Sequence, residues 1–195
     1  MLSGVPGAER GKLPANTVPL IGESVAESVA APWDVPAIRA RIKPWVLEDF
    51  LMPYQKEGWQ WSYAREGSCA WWACGSGKTL LALLWLVSGS RDERKIVITR
   101  APTKRQWQRE AAQYTDLRIQ VLEGRGGSLI PAETECVVLS WETLTAWLPE
   151  LRRWAGTNSA LVLDEIHKGK AWKRKDKYVD ANGKVSYRWA ANRAA

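Results

Sequence analysis

The segment Cys74-Gly75-Ser76-Gly77-Lys78-Thr79, running directly into the apolar stretch LLALLWLV, constrains this chain more than any other feature. Two glycines let a backbone curl so that successive N–H groups face one point without interference from Cβ atoms. A helix starting at once behind them adds the positive end of its dipole. A lysine and a hydroxyl residue at that helix start complete a site suited to a polyphosphate with its magnesium. Gly75, Ser76, Gly77, Lys78 and Thr79 are therefore candidate phosphate-binding residues, and Thr79 is also a candidate magnesium ligand. The phosphate-loop pattern G-x-x-x-x-G-K-[ST] asks for glycine six residues before the lysine, and Trp72 stands there instead.

Around this loop, short apolar runs alternate with helix-like stretches. SCAWWA (68–73) reads as the strand before the loop and KTLLALLWLVSG as the helix after it. KIVITR (95–100), LRIQVLE (117–123), CVVLS (136–140) and ALVLDE (160–165) read as further strands. TKRQWQREAAQY and WETLTAWLPELRRW read as helices between them, and Pro53 suits the start of an earlier one. Near-continuous apolar strands alternating with helices predict an α/β fold, with a mostly parallel sheet covered on both faces. Ligands of such folds gather beyond the carboxyl ends of the strands.

Asp164 and Glu165 close the last of these strands, where they would lie beside the loop. A carboxylate to fix magnesium and a group to orient water are what a phosphate loop lacks for hydrolysis. Asp164 takes the first role and Glu165 the second, and with Lys78 they form the candidate catalytic set. His167 is the one histidine and completes Asp-Glu-x-His. It is read as a coupling residue between the nucleotide site and a partner lobe.

Residues 1–40 are rich in Pro, Ala, Ser and Gly without periodicity and predict a flexible or weakly ordered lead-in. Residues 41–195 then form one domain. Most of the thirteen tryptophans are expected to be packing residues. Three cysteines with one histidine give no zinc set, and such sparse cysteine suits a reducing compartment. No apolar leader is present and the longest apolar run is far shorter than the roughly 20 residues a bilayer needs. These features predict a cytoplasmic protein with no membrane contact. Of the net charge of +7, residues 166–195 supply all: nine Lys/Arg against two Asp/Glu there, nineteen against nineteen elsewhere. That run is either a solvated tail or a track for a polyanion.

GSGKT together with DEIH resembles the DExH-box branch of helicase superfamily two. LMPYQKEGWQW (51–61) looks like the Leu-x-Pro-Tyr-Gln-x-x-Gly segment of Swi/Snf-type ATPases. IVITRAPTKRQWQRE resembles motif Ia, where Pro102, Trp107 and Glu110 fit. CVVLSWETL is similar to a strand followed by Tyr-Glu-x-Leu, with Trp141 in the tyrosine's place. DEIHKGKAW follows DEAH-x-x-K-N, with Lys170 matching and Ala171 replacing the asparagine. The likeness covers residues 50–171.

The resemblance implies a RecA-like P-loop NTPase lobe that binds ATP and Mg2+, with Gln55 recognising adenine. It implies a nucleic-acid partner, DNA favoured over RNA, gripped through motif Ia by Thr103, Lys104 and Arg105. Lys168, Lys170, Lys173, Arg174 and Lys175 of the basic run are further candidates for phosphate contacts. It also implies a second RecA-like lobe, in cis or as a partner chain, without which ATP turns over barely at all. Two other classes stay open: a non-catalytic nucleic-acid-binding module, and a P-loop enzyme outside the helicases.

Overall fold

In a computed structural model, the protein is described over residues 30–124, 126, 128–166, 175–179 and 185–189. Strands β1 (Arg94–Thr99), β2 (Ile119–Val121), β3 (Cys136–Ser140) and β4 (Ser159–Leu163) form one sheet in the order β2-β3-β1-β4. Every pairing in it is parallel, and Val97 lies opposite Val138 on one side and Val162 on the other. The helices are α1 (Pro36–Arg39), α2 (Pro53–Tyr63), α3 (Lys78–Ser88), α4 (Lys104–Tyr114) and α5 (Leu144–Ala155). Strands β5 (Lys175–Val179) and β6 (Val185–Trp189) pair antiparallel in a second sheet.

Alternation along the strands builds two core layers. Val97, Val138 and Ala160 face one side, where α3 and α4 cover them with Leu80, Leu83, Leu84, Trp107 and Ala111. Ile96, Ile98, Val137 and Leu139 face the other, under Trp147, Leu151 and Trp154 of α5. The spacing of those three residues, i, i+4 and i+7, puts them on one helical face. Helix α3 is instead apolar nearly all round, and its leucines are buried toward both the sheet and α2. The expected α/β fold with a parallel sheet is what the structure shows. Among the described residues, no helix is long and apolar enough to cross a membrane.

At the N-terminal end of the strands, charge is taken inside. Lys95 is wholly buried, and its ammonium donates to Ser90 O, Glu93 O and the Glu135 carboxylate. Arg41, also buried, bridges Asp116 and Glu135 and so ties the segment after α1 to this end of the sheet.

Several elements differ from the expectation. Residues 68–73 carry no strand: Trp72 packs toward α2 while Trp71 is 86% exposed, so the segment lacks the two buried faces of a central strand. The lead-in expected to stay weakly ordered to residue 40 is ordered through Pro32–Asp34 and α1, with Pro32 and Ile38 buried. Residues 1–29 lie outside the described part. The run 117–123 contracts to the three residues of β2, with Leu117 and Leu122 buried at its flanks. The β5–β6 pair lies within the basic stretch, where no strand was expected.

Candidate functional site

Residues 73–77 form an exposed to half-exposed loop that ends at the first turn of α3. Gly75 and Gly77 hold φ of 77° and 81°, the left-handed region that side chains disfavour. A Cβ at Gly77 would also run into Gln55 Nε2. Lys78 folds back over the loop and donates to Trp72 O at 3.0 Å and Ala73 O at 2.9 Å. The Ser76 hydroxyl donates to Ala73 O at 2.8 Å. A lysine held above a ring of curled backbone, at a helix N-terminus, is a cradle of the shape and charge an anion needs.

Helix α2 braces this loop. Gln55 is buried; its Oε1 accepts from Met52 N at 3.0 Å and its Nε2 donates to Ser76 O at 3.1 Å. Tyr54 donates its hydroxyl to the same carbonyl at 3.0 Å. Gln55 is thus a strut between α2 and the loop, which leaves one N–H of its amide for any other partner.

The acid pair follows β4. Asp164 N donates to Ile98 O at 2.8 Å, continuing the β1–β4 ladder by one bond. Its Oδ2 accepts from Thr99 Oγ1 at 2.7 Å and from Trp107 Nε1 at 3.3 Å, and its carbonyl accepts from Trp141 Nε1 at 2.9 Å. Two elements therefore hold the carboxylate, the end of β1 and helix α4, and the turn after β3 holds the backbone carbonyl of the same residue. Glu165 is exposed at φ 53°, the one described non-glycine residue with positive φ. Helix α3 returns through a short connection to β1, so its N-terminus and the carboxyl ends of β1 and β4 lie at the same end of the sheet. Thr99, Trp107 and Trp141 were not read from sequence as partners of Asp164. Thr99 could have been noticed as a polar residue closing an apolar strand.

Neither a protein-family model nor a curated protein matches the chain.

The residues expected to contact nucleic acid stand in different surroundings. Lys104 is buried, and its ammonium donates to Leu122 O at 2.9 Å and to the Glu123 carboxylate, so it presents no cation to the surface. That bond from Lys104 is the largest influence holding the Glu123 carboxyl below its ordinary range. Arg105 is exposed and shares Glu123 at 3.1 Å. Thr103 bonds Thr99 Oγ1 at 2.7 Å and donates to Arg100 O at 2.9 Å, which places it in the network around Asp164. His167, Lys168, Lys170, Lys173 and Arg174 lie outside the described residues, and Lys175 is described only as the first residue of β5.

The marked clefts lie away from the loop. One of about 460 Å³, lined by Arg91, Asp116, Arg118, Glu133 and Glu135, opens at the N-terminal end of the strands. Another, of about 480 Å³, lies between Trp33 and the outer face of α2. The chemistry points to the loop rather than to either cleft: the first carries three carboxylates, one of them already paired with Arg91, the second is apolar, and polyphosphates bind to curled backbone at a helix start.

Proposed function

We propose that the chain is the ATP-binding, RecA-like first lobe of a DExH-type, Swi/Snf-resembling DNA-dependent ATPase, whose turnover requires a second lobe. The observation that carries this reading is the loop 73–79: left-handed glycines, a lysine folded over them, and α3 behind, at the sheet end where Asp164 is held. The open space beside Gly75 and the lysine at the helix start suit the phosphates of a nucleotide.

In this reading Lys78 and the backbone amides of Gly75–Thr79 receive the β- and γ-phosphates. Thr79 and Asp164 would hold Mg2+, Glu165 would orient the attacking water, and the remaining N–H of Gln55 would meet adenine. Magnesium is bound through one or two protein ligands with phosphate and water completing the shell, and here it would supply charge neutralisation on the phosphoryl oxygens. The network Thr103–Thr99–Asp164–Trp107 keeps the metal-facing carboxylate in one orientation. An arginine from the second lobe adds transition-state stabilisation that in other P-loop enzymes is worth about 10³–10⁵ in rate.

The test is calorimetric titration with Mg-ATP, followed by ATPase assays with and without duplex DNA in a full-length or partner-complemented form. Lys78→Ala is expected to weaken ATP binding about 10- to 100-fold, the scale of a lost charge-assisted hydrogen bond. A wild-type chain that takes up no nucleotide would end the proposal. DNA affinity untouched by Lys78→Ala, with no turnover in any form, would favour the non-catalytic binding module. Turnover without any nucleic-acid affinity would favour a P-loop enzyme of another class.

A further inference from the structure

Trp72 occupies the position where the phosphate-loop pattern has glycine, and the structure shows where so large a side chain goes. A Cβ added to Gly58 would run into Cζ2 of the Trp72 ring and lie 2.6 Å from its Cη2. The indole edge therefore fills the space that any other residue at 58 would claim. Tyr54, one helical turn earlier on the same face of α2, closes the other side. Its ring meets Trp72 edge-on, with centroids 5.5 Å apart and planes at 75°. Trp72 also packs against the main core.

The backbone of the same residue reaches the site. Trp72 O is one of the two carbonyls to which Lys78 donates, and the Tyr54 hydroxyl holds Ser76 O further along the loop. Fixing the indole fixes the carbonyl on which the lysine rests. Ala73, Cys74 and Gly75 between these two anchors are exposed. A loop so exposed would otherwise be ordered only at the moment of binding, at a cost in affinity.

We infer that Trp72 is a positioning residue for the phosphate loop: its indole, wedged between Gly58 and Tyr54, sets Lys78 and the loop amides in place before a triphosphate arrives. This inference rests on the nucleotide-site reading above. The ligand class it concerns is the triphosphate moiety itself, independent of the base. The wedge acts on the loop, so inorganic tripolyphosphate and ATP feel it equally, whereas a change at the adenine side alters ATP alone.

The experiment compares wild type, Gly58→Ala, Trp72→Gly and the double variant. Mg-ATP and magnesium tripolyphosphate are titrated by calorimetry, and 5-fluorotryptophan labelling reports the Trp72 resonance, assigned with Trp72→Phe. Gly58→Ala is expected to shift that resonance and to weaken both ligands at least tenfold. Trp72→Gly alone weakens both to a similar degree. In the Trp72→Gly background, Gly58→Ala costs no further affinity and raises Tm, because alanine is the better helix former once the ring is gone. A Gly58→Ala protein too unstable to titrate is rescued for folding by Trp72→Gly, which equally identifies the ring as the clash. Unchanged affinity in Gly58→Ala despite a displaced indole overturns the inference and leaves the nucleotide reading standing. Equal damage from Gly58→Ala with and without the ring also overturns it. A wild-type chain that binds neither polyphosphate removes both, and is recognised because no variant then has affinity to lose.

Discussion

At the scale of single residues, Glu165 and Asp164 show how much chemistry is set by backbone. Left-handed backbone at a non-glycine residue costs roughly 1–2 kcal/mol, and Glu165 carries that strain directly after a carboxylate held by two side chains. Glu165→Gly is therefore expected to stabilise the fold by about 1 kcal/mol while removing turnover in the two-lobed form. Thermal melting and ATPase assays check the two halves, and a lowered Tm would show that the conformation is not strained. The residue types of the proposed site, glycines, a lysine and paired acids, were picked out by their spacing. Their partners were not. Thr99 and Trp107 reach Asp164 across 65 and 57 residues, and only the β1–β4 register and the docking of α4 bring them there. The pairing of Lys104 with Glu123 was not legible, because a lysine's apolar stem can cross a buried layer before its charge finds a carboxylate.

At the scale of elements, β1, β3, β4 and helices α3 to α5 were visible as apolar runs of the right length and period. The segment 68–73 looked the same by composition, yet strand formation depends on a neighbour for both faces, and Trp72 gives its surface to α2 instead. The β5–β6 pair had a signal that charge obscured: Asn182-Gly183 lies between two runs rich in β-branched and aromatic residues. Helix α5 also anchors the chain before β3. Glu150 accepts from Ile130 N at 2.7 Å and from Arg153 Nε at 2.9 Å, and the Arg153 bond first, then the Ile130 amide, lowers its pKa from 4.5 to about 2. A carboxyl with a depressed folded-state pKa stabilises fully above its unfolded value and loses that contribution as pH falls through the folded one. The Ile130 amide is accordingly expected to keep its hydrogen-exchange protection, relative to the global core, down to about pH 4.5 and to lose it progressively toward pH 2. Glu150→Gln, which keeps an acceptor but not a titrating charge, is expected to flatten this response. The same acid profile in that variant would assign the loss to another group.

At the scale of the whole molecule, the sheet is pinned at one end by buried charge and open along one side. Glu135 is the anion shared by Lys95 and Arg41, of which Lys95 is wholly buried. Glu135→Gln removes the charge that balances a buried ammonium and is expected to cost about 3–5 kcal/mol in denaturant unfolding, whereas adding Lys95→Met to it, which removes that ammonium too, is expected to recover part of the loss. A double variant less stable than Glu135→Gln alone would show that Lys95 stabilises the fold without its carboxylate. The open side is β4, which among the described residues has β1 as its sheet neighbour and leaves Leu161 and Leu163 49% and 39% exposed. A flat apolar edge of this kind invites another strand, and a lysine placed on it is a common natural deterrent. Leu161→Lys is expected to reduce concentration-dependent light scattering without lowering Tm by more than a few degrees; unchanged scattering would locate the association elsewhere. With one side of β4 turned to no strand among the described residues, a ceiling is expected on how concentrated the free chain can be kept before neighbouring copies share a ladder.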